Sequence, residues 1–202
     1  SFMLTNLNKY KENFKHYTEL RLQENKSFSV GLLNGSLVSN SESSESGVSS
    51  RVFSGGSWGF SSNAEINDST IGRVINASSE NASFLNKKSK SSCGLILPED
   101  IYNYELNLST NKNKNSNAYW ISFIKDLDNY IENKYKNISS RRIFMSSLDM
   151  EKNLITSIGS ESYSLTPRAL LYIILTINNN GEPTELIDVF GGLGQLEDNF
   201  IN

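Results

Sequence analysis

Residues 47–62 read GVSSRVFSGGSWGFSS, and this stretch carries the strongest structural signal in the chain. Small polar and apolar residues alternate as in an extended strand with one buried face. The pair Gly55-Gly56 supplies the positive φ angles of a tight hairpin turn. After the turn, Trp58 and Phe60 fall on one face of the returning strand. The stretch therefore predicts an antiparallel hairpin, whose outgoing strand has one face formed by Val48, Ser50 and Val52 and the other by Ser49, Arg51 and Phe53.

The residues before this hairpin continue the alternation, with polar turn signals between short apolar runs. We expect short strands around Leu20, around Val30 and around Leu37. Turns are predicted at Asn25-Lys26 and at Asn34-Gly35, because Asn and Gly favour the backbone conformations of tight turns. Segment 17–62 is therefore predicted to form an antiparallel meander that buries one face.

Three segments show the 3.6-residue period of an amphipathic helix. The first runs from about Leu4 to Lys15, with Thr5 or Asn6 available as its cap. The second follows the capping cluster 67–69 and ends at Lys87-Lys88, where the cations complement the helix dipole. Its predicted buried stripe contains Ile71, Val74, Ile75, Ser78, Ala82 and Leu85. The third, 116–136, has a stripe formed by Tyr119, Trp120, Phe123, Ile124, Leu127, Tyr130 and Ile131. We interpret these stripes as core-facing.

The C-terminal half contains further strand patterns. They are predicted at residues 93–97, 142–149, 153–158, 169–178 and 184–190. The run 169–175 is apolar throughout and is predicted to be a central strand covered on both sides. Segment 87–92 is predicted to be a flexible charged link, and 111–115 a loop that buries nothing.

The expected fold is therefore α+β, a mostly antiparallel sheet of short strands packed against two long amphipathic helices and followed by a further strand group. We expect a first domain at 3–90 and a helix plus strand group at 91–202. Residues 1–2 precede a plausible initiator methionine and are interpreted as a tag remnant.

Composition limits the possible functions. The chain has 202 residues, a formal net charge of −3 and one cysteine, and a pI near 5.3. This charge gives no basic surface for nucleic acid. A single cysteine forms no internal disulfide, and no apolar run approaches the ~20 residues of a membrane span. We therefore expect a cytoplasmic protein without nucleic-acid or membrane partners.

Three blocks of sequence resemble the first domain of the TldD/PmbA family, which carries the older label of modulators of DNA gyrase. They occur in the family's order and approximate spacing. The blocks are Tyr17-Thr18-Glu19-Leu20-Arg21, Leu33-Asn34-Gly35-Ser36-Leu37 and the stretch 47–62. Segment 153–159 resembles the family as well, and Gly191-Gly192-Leu193-Gly194 resembles its glycine-rich crossing into the second half. The residues Ser49-Ser50 depart from the family's small and aliphatic pair.

The resemblance implies a cytoplasmic, dimeric zinc metallopeptidase, a hydrolase that degrades or matures small unfolded peptides. The family's zinc is held further along by a His-Glu-x-x-x-His helix. This chain has only one histidine, His16, and one cysteine, Cys93, whereas a catalytic zinc needs about three protein ligands. We therefore expect an N-terminal fragment that holds no cofactor, has no catalytic residues and is inactive alone, acting as scaffold, chamber wall and surface for a homologous subunit. Two alternatives stay open: a metal-free partner subunit of the PmbA type, or a free-standing interaction protein.

The resemblance also points to a weak substrate-binding site at Arg51, Trp58 and Phe60, in the wall of the peptide chamber. The competing interpretation is that the glycines shape the hairpin while Trp58 and Phe60 fill the core. Elsewhere, Glu19 and Arg21 lie two apart on one strand face, where ion pairing across strands is the simplest expectation.

Two other patterns carry less weight. The loop Gly191-Gly192-x-Gly194 follows a strand but lacks the Lys-Ser/Thr of a phosphate-binding loop, and no helix is predicted after it. His16 is interpreted as a surface or capping residue near the end of the first helix. We expect neither to form a functional site.

Overall fold

The computed structural model describes residues 6–88 and 97–202, and it confirms the α+β class. After a short 3-10 helix at Leu7–Asn13, the described residues form seven strands and three α-helices. The strands are β1 (Tyr17–Leu33), β2 (Ser36–Ser54), β3 (Ser57–Asn63), β4 (Asn103–Asn107), β5 (Ile138–Thr156), β6 (Glu161–Asn179) and β7 (Glu182–Leu193). The helices are α1 (Asp68–Lys88), α2 (Asn117–Lys134) and α3 (Leu196–Phe200).

The chain divides into two compact units, each built from separate segments. Unit 1 contains residues 1–25, 45–107 and 150–165, and unit 2 contains 26–44, 108–149 and 166–202. Strands β1, β2, β5 and β6 contribute residues to both units. The predicted boundary at 90/91 falls within residues 89–96, outside the described part of the chain.

In unit 1 the strand order is β3-β2-β1-β5-β6-β4. The alternation in β1 and β2 places one set of side chains against α1 and the 3-10 helix, because successive residues of a strand face opposite sides. The resulting core contains Leu7, Tyr10, Leu20, Leu22, Val48, Ile71, Val74, Ile75 and Ile155. Helix α1 has the predicted bounds, but Leu85 of its predicted stripe is exposed.

In unit 2 the strand order is β2-β1-β5-β6-β7. Helix α2 starts one residue after its N-cap Ser116, whose side chain accepts a hydrogen bond from the Tyr119 amide. The core consists of Phe28, Val30, Leu32, Trp120, Ile124, Ile131, Ile143, Met145, Ala169, Leu171 and Leu196. Two members of the predicted α2 stripe, Tyr119 and Tyr130, are exposed because they lie at the margins of the stripe.

The strands are longer than predicted. Strand β1 runs without interruption through Asn25-Lys26, so the predicted turn there is wrong. The predicted strands 142–149 and 153–158 are parts of one strand, β5. Polar residues interrupt the apolar pattern at both places, but the side chains find partners within the sheet, such as Gln23 with Asn25 at 3.3 Å. A polar run inside a strand therefore does not end it.

Several smaller expectations also change. The first helix is a 3-10 helix of seven residues, capped by Asn6 as predicted. Strand β4, which pairs parallel to β6, has no counterpart in the prediction. The predicted strand at 93–97 and the link at 87–92 fall largely on residues 89–96 and so lie outside the described residues.

The run 169–175 lies in β6, which pairs with β5 and β7 and is therefore interior to its sheet. Its side chains are buried on one face only. Ala169 and Leu171 are buried, whereas Leu170 and Tyr172 on the other face are partly exposed. No helix in the described residues is both long and apolar enough to cross a membrane.

Candidate functional site

The hairpin of β2 and β3 fixes which side chains share a face. Its register pairs Arg51 with Phe60, Phe53 with Trp58, and Val52 with Gly59. Directly opposite residues of an antiparallel pair lie on the same face of the sheet. Arg51, Phe53, Trp58 and Phe60 therefore share one face of unit 1, and the predicted site residues Arg51, Trp58 and Phe60 lie together.

The opposite face of the hairpin approaches α1 closely. A Cβ atom added at Gly59 would overlap the backbone oxygen of Ser78 and the backbone nitrogen of Ala82. The buried hydroxyls of Ser78 and Ser50 lie 2.8 Å apart and complete this contact. Because only a glycine fits between β3 and α1, its neighbours Trp58 and Phe60 must point away from the helix.

The orientation decides between the two interpretations of Phe60. Its side chain is 60% exposed, so the interpretation that it fills the core is wrong. Trp58 is half-buried, but its contacts lie on the outer face: its ring is 5.2 Å from the Phe53 ring and 6.0 Å from that of Tyr17. We call the set Tyr17, Glu19, Arg51, Phe53, Trp58 and Phe60 the outer aromatic face.

Arg51 is held in place by two contacts. Its guanidinium forms an ion pair with Glu19 at 2.8 Å and stacks over the Trp58 ring at 4.4 Å. The Tyr17 hydroxyl donates to the same Glu19 carboxylate at 3.0 Å. The expected pairing across strands thus involves Arg51 with Glu19. Arg51 is half-exposed, so the pair contributes less than ~1 kcal/mol to stability, and its main effect is to fix the guanidinium against the indole.

Tyr17 is the member of the face that sequence reasoning missed. Partial burial and the hydrogen bond to Glu19 raise its pKa to about 12. The signal was available, because Tyr17, Glu19 and Arg21 alternate with the buried residues Thr18, Leu20 and Leu22.

A cavity of about 530 Å³ lies beside Phe60 in unit 1. Its walls come mainly from β1, β2 and β3, and most of the lining residues have polar side chains, although they also expose apolar atoms. They include Arg21, Gln23, Glu45, Ser49, Phe60 and Asn63. Hydrogen-bonding groups next to an exposed aromatic ring suit a ligand that offers both a polar backbone and apolar side chains.

The single histidine, His16, contributes hydrogen bonds through its main chain. His16 is exposed, and its carbonyl oxygen accepts hydrogen bonds from the hydroxyls of Thr18 at 2.9 Å and Ser157 at 3.1 Å. Within residues 6–88 and 97–202, no three His, Cys, Asp or Glu side chains are grouped so that they could hold a metal ion. The donor set of the described residues does not fit a zinc site.

The glycine-rich segment 191–194 forms the end of β7 and the short loop after it, and it is followed by a helix, contrary to expectation, but α3 has only five residues. Its first turn contains the carboxylates of Glu197 and Asp198, and Asp198 accepts a hydrogen bond from the Gln195 amide at 2.9 Å. The amide of Gly194 donates to the Pro167 oxygen at 2.9 Å. Negative side chains and occupied amides make this loop unsuited to an anion.

Comparisons with known proteins identify relatives of this fold. A family model described as PmbA/TldA metallopeptidase domain 1 matches residues 18–82. A search of curated proteins found no match.

The solved structures that resemble the chain include three whose identities show a shared fold only. A "putative modulator of a DNA gyrase" from Thermotoga maritima has a TM-score of 0.69 at 14% identity, covering 91% of this chain and 41% of that one. A second such protein, from Bacteroides thetaiotaomicron, gives 0.65 at 16%, covering 95% and 44%. TldE from Thermococcus kodakarensis gives 0.65 at 14%, covering 94% and 42%. The chain thus spans less than half the length of each of them.

Proposed function

We propose that this chain supplies the scaffold and part of the substrate chamber of a cytoplasmic peptidase of the TldD/PmbA type, where it holds small unfolded peptides. Its residues 18–82 match the first domain of the PmbA/TldA metallopeptidases, which confirms its resemblance to the N-terminal portion of the TldD/PmbA family. The observation that carries the proposal is the outer aromatic face, where the exposed Phe60 lines a cavity in unit 1 and the half-buried Trp58 lies on the same face.

The outer aromatic face suits an extended peptide of variable sequence. Trp58 and Phe60 offer apolar surface to side chains, and the polar cavity beside Phe60 offers hydrogen bonds to the peptide backbone. The main-chain oxygen of Phe60 already accepts a hydrogen bond from Asn81 at 3.0 Å. Recognition at this face therefore depends on side chains more than on addition of a strand to β3.

The hydrolytic chemistry lies outside this part of the protein in our proposal. The resemblance implies a zinc ion on a downstream His-Glu-x-x-x-His helix, which would polarise the scissile carbonyl and activate a water molecule. The residues of this chain bind and orient the peptide, and a homologous subunit completes the chamber. The chain alone is expected to bind peptides without cleaving them.

Binding of a defined peptide tests the proposal. The probe is a fluorescein-labelled fifteen-residue peptide of alternating leucine and serine, titrated with the chain and followed by fluorescence anisotropy. Phe60→Ala should weaken binding about tenfold. Phe84→Ala is the matched control, because Phe84 on α1 is also exposed (56%) but lies outside the outer aromatic face. Equal affinity of the wild-type chain and Phe60→Ala would overturn the proposed binding face.

The metal-free partner subunit of the PmbA type is the second candidate, because the family model that matches residues 18–82 covers PmbA as well as TldA. The two candidates predict the same binding face and differ in the second half of the parent protein. Sequencing the source gene past the codon for Asn202 separates them. A downstream His-Glu-x-x-x-His favours the peptidase, its absence from a continuing frame favours the partner subunit, and an immediate stop codon favours a free-standing interaction protein.

A further inference from the structure

Strand β7 has an apolar outer edge. In unit 2 it pairs with β6 on one side, and among the described residues no strand pairs with its other side. All but one of its twelve residues are exposed. The exposed large apolar side chains of the strand are Leu186, Ile187, Val189, Phe190 and Leu193. Long apolar strand edges of this kind are sites where another strand adds.

The hairpin register shows which backbone groups point outward. Residues Asn180 and Gly181 have φ angles of 53° and 91° and form a two-residue turn between β6 and β7. A two-residue hairpin turn makes the pair that flanks it, here Asn179 and Glu182, a hydrogen-bonded pair, and such pairs alternate with non-bonded pairs along the ladder. The non-bonded pairs place the backbone groups of Glu185, Ile187 and Val189 on the outer edge.

Two other features of β7 agree with this assignment. Pro183 occupies a non-bonded position, where a missing N–H costs no ladder hydrogen bond. The outward N–H of Val189 donates to the Asp188 carboxylate at 3.1 Å. At Pro183 and Val189 the outer edge therefore has no free N–H group, whereas the backbone groups of Glu185 and Ile187 between them stay available for pairing.

The charge of β7 indicates the partner. The strand contains Glu182, Glu185 and Asp188 and no lysine or arginine. None of the three carboxylates forms an ion pair with the described residues. A second copy of β7 would bring six carboxylates into one ribbon, which like-charge repulsion opposes. A strand carrying basic residues is favoured instead.

We propose that β7 binds an extended segment of another polypeptide in which a lysine or arginine recurs at every third residue with apolar or β-branched residues between. The spacing follows from the acidic residues at 182, 185 and 188. Successive carboxylates lie on alternate faces of the strand, so a paired segment needs its cations at the same interval. This surface is separate from the outer aromatic face and does not depend on the proposed peptidase role.

A charge-exchange experiment tests the proposal. The probe is a fluorescein-labelled peptide with three Lys-Val-Thr repeats, and the control probe has three Glu-Val-Thr repeats. The wild-type chain should bind the lysine peptide at least tenfold more tightly by fluorescence anisotropy. The double variant Glu185→Lys with Asp188→Lys should reverse this preference, whereas Glu42→Lys on β2 should leave it unchanged.

A second variant tests strand pairing itself. Ile187→Pro removes an outward N–H and leaves the hydrogen bonds to β6 intact, so it should weaken binding at least tenfold with an unchanged circular dichroism spectrum. Phe60→Ala should not affect the lysine peptide, which separates this surface from the proposed peptide face. Equal binding of the two peptides by the wild-type chain would overturn the proposal. Self-association of the wild-type chain that Ile187→Pro abolishes would overturn it in favour of a second copy.

Discussion

Helices α1 and α2 each cover one face of the sheet in their own unit and bury apolar side chains there, but one contact of α1 is made by its backbone and has no counterpart described for α2. Helix α1 meets β3 at Gly59, where its own backbone at Ser78 and Ala82 replaces a side chain. Helix α2 inserts Trp120, which is 1% exposed, into a cluster of large aliphatic side chains. The first contact requires a residue without a side chain at position 59, whereas the second requires the large indole of Trp120.

This difference determines what each contact can tolerate. A close backbone approach has no room for one added carbon, whereas a core of large side chains loses stability when carbons are removed. Unit 2 also buries a charged pair beside its apolar cluster: Arg141 donates to both carboxylate oxygens of Asp128 on α2, at 2.9 and 3.1 Å. Among residues 6–88 and 97–202, no such pair adjoins the buried hydroxyls of Ser50 and Ser78 at α1.

The largest expected effect is the loss of Trp120. Trp120→Ala removes a fully buried indole and leaves a cavity, which should lower the free energy of unfolding by ~3–5 kcal/mol. Urea denaturation followed by circular dichroism measures the change. Tyr119→Ala is the control, because the neighbouring side chain is exposed and its loss should cost less than about 1 kcal/mol. An unchanged midpoint for Trp120→Ala would show that α2 does not depend on large side chains.

A smaller but more specific effect is expected at Gly59. Gly59→Ala adds a methyl group against backbone atoms of α1, which cannot rotate away as a side chain can. We expect a loss of ~1–3 kcal/mol in the free energy of unfolding.

The matched control on α1, Gly72→Ala, is expected to raise the free energy of unfolding instead of lowering it. No atom lies within 4 Å of its added Cβ, and the position is helical, so alanine should stabilise the protein by ~0.5–1 kcal/mol. If Gly59→Ala and Gly72→Ala changed the free energy of unfolding equally, the close backbone contact at Gly59 would have no special effect on stability.

The same distinction explains which parts of the structure were predictable. The stripe on α2 and the alternation in β2 and β3 predicted the approximate helix bounds and, within each strand, which residues share a face with Arg51 and which share one with Trp58, because these signals are local and periodic. The outward direction of Phe60 was not predictable, since it depends on Gly59 meeting a helix about twenty residues further along the chain. The face on which Tyr17 lies could be predicted from its alternation with buried residues, but its contact with Trp58 could not, because strand pairing brings the two rings together from forty-one positions apart.

The hydroxyl pair at α1 should have a smaller effect than Gly59. Ser78→Ala leaves the buried hydroxyl of Ser50 without its partner at 2.8 Å, at an expected cost of about 1 kcal/mol. The double variant Ser50→Ala with Ser78→Ala should recover part of that loss, because neither polar group is then left unpaired. A double-mutant cycle by urea denaturation measures the coupling, and strictly additive losses would show that the two hydroxyls do not join β2 to α1.

The last expected effect appears only at high pH and concerns the face of unit 1 that α1 leaves uncovered. Burial and the Glu19 carboxylate hold the pKa of Tyr17 at about 12, above the ~10 of a tyrosine in the unfolded chain. Between these values the folded protein retains a proton that the unfolded chain loses, so the stability that Tyr17 contributes is complete below pH 10 and is lost as the pH rises towards 12. Tyr17→Phe removes this dependence. The difference in urea midpoint between the wild-type chain and Tyr17→Phe should therefore be larger at pH 9 than at pH 11.5, and a constant difference would show that the outer aromatic face leaves Tyr17 as solvated as it is in the unfolded chain.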